Sequence, residues 1–253
     1  MKSPKLLDIQ INAKMPFQNC KLKREQYADN LTQLLTNYSD GFVLAINNSW
    51  GSGKTTFVKM WNEKLISKEF KTVYFNAWEN DFENDALAAI LGEVKPLFEA
   101  KNEALFLKIK KSASILGKNI LPILVGSIAS KVFDSNTAGE ITKGLTDGSM
   151  ELFQQSIDTY QKKKESLLDF KAGLHEMVSS IRHENNKPFV FFIDEIDRCR
   201  PDYAVEVLEK VKHLFTVPGI VFVISIDKTQ LCHDIRGVYG SERMNAEEYL
   251  KDS

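Results

Sequence analysis

The chain has 253 residues, 43% of them apolar and 26% charged, the proportions of an ordinary soluble globular protein of one large domain or two small ones. Lysine and arginine number 33 against 34 aspartates and glutamates, a net charge of -1 that argues against a nucleic-acid binder, since those are usually basic overall. Cys20, Cys199 and Cys232 stand far apart with no CxxC pair, which argues against a disulfide scaffold or a cysteine zinc site and fits a reducing, cytoplasmic setting.

Residues 1–20, punctuated by Pro4 and Pro16, read as an N-terminal arm or short strand. Lys2, Lys5, Asp8 and Lys14 interrupt every apolar run there, so no signal-peptide core is expected. From Lys21 to Tyr38 the positions Tyr27, Ala28, Leu31, Leu34, Leu35 and Tyr38 recur at threes and fours, which predicts an amphipathic helix ended by Ser39-Asp40-Gly41. Phe42–Ile46 is an unbroken apolar run and reads as a strand buried on both faces of a parallel sheet. A glycine-rich turn and a helix from about Lys54 follow. Thr72–Trp78 reads as a second strand, 84–110 and 150–183 as helices, Phe189–Ile193 as a third strand, 202–215 as a helix and Ile220–Ile226 as a fourth strand. Strands alternating with helices predict an α/β domain over residues 21–253, with a mainly helical insertion at about 100–185.

Residues 112–149 differ in being rich in Ser, Gly, Ala and Thr around the apolar stretch Ile120–Ala129. The charge-free window, Asn119–Ser130, is shorter than the ~20 residues a membrane-spanning helix needs. The segment therefore reads as an insertion packed on the domain. The alternative is peripheral contact with the inner membrane through 108–133, helped by Lys108, Lys110, Lys111 and Lys118. Residues 73–99 carry six acids and one base, which reads as a solvent-facing helix whose first turn favours acids.

The chemistry concentrates in two places. Asn48-Ser49-Trp50-Gly51-Ser52-Gly53-Lys54-Thr55 matches the phosphate-loop pattern GxxxxGK[ST] at every position but the first, where Asn48 replaces Gly. Asn tolerates positive φ best among residues with a side chain, so the turn is expected to survive with Asn48 in that conformation. The strand before and the helix after give the context such a loop needs. Backbone amides from Ser49 to Thr56 are then expected to converge on phosphate oxygens at a helix N-terminus, with Gly51 and Gly53 allowing close approach. Lys54 would reach the β- and γ-phosphates and Thr55 would offer a hydroxyl to Mg²⁺.

The second place is the end of the third strand, Asp194-Glu195-Ile196-Asp197-Arg198. An acid at the C-terminal end of a buried strand is the Walker B arrangement, at the edge where ligands sit in open α/β sheets. Asp194 would hold Mg²⁺, largely through water, and Glu195 would polarise the attacking water as general base. Asp197 and Arg198 either pair with each other and their neighbours, or Arg198 or Arg200 approaches the γ-phosphate. Ser225 or Asp227, ending the fourth strand, would sense hydrolysis. His175, His183, His213 and His233 show no metal spacing, and no GxSxG or Cys/His nucleophile is present.

These residues together resemble the KAP family of P-loop NTPases. The resemblance rests on WGSGKT (Trp50–Thr55), YFNAWEND (Tyr74–Asp81), DEIDRC (Asp194–Cys199), VFVISIDKTQL (Val221–Leu231), Tyr239-Gly240 and EEYL (Glu247–Leu250), and spans about residues 20–250. It implies a RecA-like (ASCE-type) P-loop NTPase core with one strand between the phosphate-loop strand and the Walker B strand. It implies ATP and magnesium as ligands, and hydrolysis used as a conformational switch. Bacterial members are often linked to defence against phage or plasmids with a protein partner, and a partner or a homo-oligomer is expected here. Many members carry membrane helices where 112–133 stands in this chain. Members usually continue into a C-terminal helical region, and the sequence ends at Lys251-Asp252-Ser253 just after EEYL. Three readings stay open: an ATPase, an ATP-binding scaffold with negligible hydrolysis, and a kinase sharing the loop.

Overall fold

The computed structural model describes residues 11–38, 40–117, 147–214 and 216–251. In chain order these form α1 (Glu25–Asn37), β1 (Phe42–Asn47), α2 (Lys54–Ser67), β2 (Thr72–Asn76), α3 (Ala86–Leu116), α4 (Asp147–Asn185), β3 (Phe189–Asp194), α5 (Pro201–Leu214), β4 (Ile220–Ile226), α6 (Lys228–Tyr239) and α7 (Ala246–Lys251). A short 3₁₀ turn, Ile196–Arg198, follows β3.

The four strands are all parallel and lie in the order β1-β4-β3-β2. β4 therefore stands between the phosphate-loop strand and the acid-bearing strand, the arrangement of a RecA-like P-loop core. Side chains alternate across the two faces of the sheet, as the pleat requires. Val190, Phe192, Val221 and Val223 join Phe57, Val58, Trp61 and Leu65 of α2 in one core layer. Phe189, Phe191, Ile193, Phe222 and Ile224 join α3, α4, α5 and α6 in the other. Trp61 anchors the first layer, stacked on Phe57 and edge-on to Phe192 at 5.4 Å, with its indole N–H donated to Thr32 Oγ1 at 3.0 Å.

β3 and β4 are buried at every position, as continuous apolar runs in a parallel sheet should be. β1 is not, contrary to the expectation from its sequence. It is an edge strand of the sheet, its exposure alternates along its length, and Val43 is 42% exposed. An apolar run identifies a strand but not its place in the sheet. The arm is also less separate than its composition suggests, because Phe17 packs edge-on against Phe57.

The helical insertion begins with α3, longer than expected and broken at Asn102, whose φ of -161° and ψ of 93° leave the helical region. Asn102 Oδ1 then accepts from the Leu105 amide at 3.0 Å and starts the second half as a cap would. α4 crosses close to that half at Gly173, where a Cβ would lie 2.9 Å from Ile109 Cγ1. Residues 118–146, with most of the segment read as packed or membrane-touching, lie outside the described residues. Among the described residues no helix is long and apolar enough to cross a membrane.

Candidate functional site

Parallel strands deliver their C-terminal ends to one edge of the sheet, and both sequence signals emerge there. β1 leads into the loop, whose first amide, Asn48 N–H, still bonds to Ile226 O of β4 at 3.1 Å. The positive-φ residues of the loop are Gly51 (76°) and Gly53 (81°). Asn48 is not one of them, which corrects the reason expected for its tolerance. The chain reverses at the two glycines, where left-handed backbone costs least. Asn48 instead accepts the Ser49 amide on its side-chain oxygen at 2.9 Å.

Lys54, the first residue of α2, turns back over the loop. Its Nζ donates to Asn48 O at 2.6 Å and Ser49 O at 3.3 Å and lies 4.0 Å from Asp197 Oδ2. Thr55 Oγ1 lies 3.4 Å from Glu195 Oε1, so the loop and the acid strand meet. Residues 50–55, Asp194, Glu195, Asp197 and Arg198 line one cleft of about 490 Å³. Asn48, Ser49 and Thr56 adjoin these residues in sequence without lining it.

Asp194 ends β3 and is 1% exposed. Its carboxylate accepts from the Glu195 amide at 2.9 Å and from the Tyr74 hydroxyl at 2.8 Å. Burial, then the neighbouring Asp194 and Glu195 charges, push the Tyr74 hydroxyl pKa far up, so it remains a neutral donor. Glu195 has φ 59°, a left-handed backbone that a residue with a Cβ adopts at a cost and that clusters at functional sites. Its carboxylate receives Arg198 Nη1 at 2.7 Å and Asn76 Nδ2 at 3.5 Å. The Arg198 guanidinium lies 4.4 Å over the Trp78 ring. Asp197, 3% exposed, accepts from Trp50 Nε1. Of the two pairings open to Asp197 and Arg198, the structure has each paired with neighbours rather than with the other.

Other expected residues are placed elsewhere. Arg200 is held by Asp81 through three hydrogen bonds of 2.8, 2.9 and 2.8 Å and does not line the cleft. Asp227 caps α6 by accepting the Thr229 and Gln230 amides, and Ser225 is fully buried. The Cys199 thiol is pushed well above its ordinary pKa by burial and nearby acids, which keeps it protonated.

Sequence reading missed Tyr74 and Asn76 as partners of the acids, and it missed Arg24. Arg24 Nη2 donates to Ser52 O at 2.9 Å and Nη1 to Gly53 O at 3.3 Å, from 28 and 29 residues away. No local pattern could have found it. The donor set suits a magnesium nucleotide: Asp194 is a buried carboxylate whose two donors are neutral, and the buried Ser52 hydroxyl has no partner within the described chain.

The profile of the KAP family P-loop domain matches residues 24–252. An uncharacterized protein of Methanocaldococcus jannaschii is 22% identical over 178 residues, 62% of this chain and 90% of that one. Among solved structures, the ORC2 protein of Aeropyrum pernix, in ADPNP-ADP complexes, is 17% identical with a TM-score of 0.35, over 89% of this chain and 46% of that one.

Proposed function

The chain belongs to the KAP family of P-loop domains, and on that premise we propose that it binds ATP with magnesium and hydrolyses it as a conformational switch. The observation that carries the reading is that the loop and the acids of β3 share one cleft, with Thr55 Oγ1 3.4 Å from Glu195 Oε1. In this reading the amides of the loop and Lys54 hold the phosphates. Thr55 and Asp194 would hold Mg²⁺, which when bound neutralises charge on the phosphate oxygens. Glu195 orients and deprotonates the attacking water, and Arg198, once released from Glu195, stabilises charge on the γ-phosphate.

A second reading, an ATP-binding scaffold that recruits a partner with negligible hydrolysis, is favoured by one contact. Arg198 occupies the Glu195 carboxylate at 2.7 Å, so the proposed base is engaged. A defence role against phage or plasmids, with a protein partner or a second copy, is carried by the family resemblance alone.

Steady-state phosphate release tests the choice. The unaltered chain should turn over ATP, Lys54→Ala should abolish turnover, and Glu195→Gln should keep binding while slowing turnover by ~10²–10⁴, the usual contribution of a general base. Binding without turnover in the unaltered chain selects the scaffold. An unchanged rate in Glu195→Gln removes Glu195 from the mechanism.

A further inference from the structure

A phosphate loop binds anions only while its amides point inward. Gly51 and Gly53, at φ 76° and 81°, allow the reversal but leave the adjoining peptides freer to rotate away than residues with a Cβ would. The Gly53 carbonyl already accepts the Phe57 amide at 3.1 Å as the first bond of α2, whereas the Ser52 carbonyl is held by Arg24. The peptide unit is planar and trans, so the carbonyl of one residue and the amide of the next point in opposite directions. Arg24 bonds to two consecutive carbonyls, Ser52 O and Gly53 O. Those carbonyls face Arg24, and the amides of Gly53 and Lys54 are thereby turned away from it. Both residues line the cleft.

We propose that Arg24 is a positioning residue for the nucleotide: its guanidinium clamps the phosphate loop from behind and fixes the inward direction of the Gly53 and Lys54 amides. The inference rests on the nucleotide reading given above. A planar guanidinium carries several donors in a fixed fork, which lets one side chain hold both carbonyls at once. Its charge also polarises each peptide along the carbonyl-to-amide direction, strengthening the amides as donors to an anion.

The fold fixes Arg24 itself. Lys23, at φ 50°, turns the chain, and Arg24 takes the N-cap position of α1 while leaving its side chain free of any capping bond. Glu25, the next residue, and Asp29, one turn further on, both grip Lys64 of α2, at 3.0 and 2.8 Å, and Thr32 accepts from Trp61. α1 is thus fastened to the helix that follows the loop.

The loop holds phosphates common to ADP and ATP, so the clamp should act on both alike. Calorimetric titration with Mg·ADP and with Mg·ATP should show Arg24→Ala weakening the two by the same factor, about tenfold to a hundredfold for charge-assisted bonds lost. Turnover at saturating ATP should stay within about twofold, since loop direction governs binding rather than the chemical step. Arg24→Lys, which keeps the charge but not the fork, should recover affinity only in part, and it also serves should the alanine variant fold poorly. Equal affinities in the unaltered chain and Arg24→Ala, or full recovery by lysine, would overturn the clamp while leaving nucleotide binding standing. Absence of binding by the unaltered chain would overturn the nucleotide reading and the clamp with it.

Discussion

β1, which carries the phosphate loop, alternates between covered and exposed positions at the edge of the sheet, whereas β3, which carries the acids, is buried at all six. The two sides of the cleft are accordingly held by different means. On the acid side, strand neighbours do the work: Tyr74 and Asn76 of the adjacent β2 bond to Asp194 and Glu195. On the loop side, glycine-rich backbone is held by side chains from outside the strand, Arg24 behind it and Asp197 beside Trp50 and Lys54. A buried strand can place carboxylates with hydrogen bonds from the strand beside it. A flexible anion-binding loop at an edge needs polar clamps.

Trp61 joins the two sides, because α2 continues from the loop and its indole meets Phe192 of β3. Its side chain is fully buried. Trp61→Ala should therefore cost about 3–5 kcal/mol, the range for removing a large buried aromatic. The measurement is a denaturant midpoint at unchanged m-value, and a shift of less than 1 kcal/mol (about fivefold in the unfolding constant) would show that the two sides are not joined through this contact.

A smaller effect tests the fastening of the loop side. Hydrogen bonding from Lys64, foremost, holds the Asp29 carboxyl below its ordinary 3.8. A lowered folded value means that its stabilisation is present above the unfolded value and is lost as pH falls through the folded one. Asp29→Asn should lower stability near neutral pH by under about 1 kcal/mol, since the pair is partly exposed. The two chains should converge only as pH falls from the ordinary 3.8 down through the lowered folded value, where the Asp29 carboxyl of the folded chain takes up its proton. Parallel curves at every pH would remove the ion pair from the fastening.

What the sequence shows and what it hides divide along the same line. The loop, Lys54, Thr55, Asp194 and Glu195 were legible because each motif is a run of neighbours bracketed by a strand and a helix. The intervening strand came from the family resemblance. The edge position of β1 was not legible, since Phe42–Ile46 is wholly apolar and Ile220–Ile226 apolar but for Ser225, yet only the second lies inside the sheet. Asn102 carries no breaker signal, and Arg200 reads like Arg198 until Asp81 is seen to hold it. Arg24 and Tyr74 act across 28 and 120 residues, separations that only the fold closes.

The central claim is that loop and acids face the same magnesium nucleotide. Titration of ATP into the unaltered chain and Asp194→Asn, each with and without Mg²⁺, tests it most directly. The account predicts that magnesium tightens binding at least about tenfold in the unaltered chain and that the asparagine variant loses this gain, as a lost charge-assisted contact implies. ATP binding indifferent to magnesium, or a gain fully retained in Asp194→Asn, would contradict it.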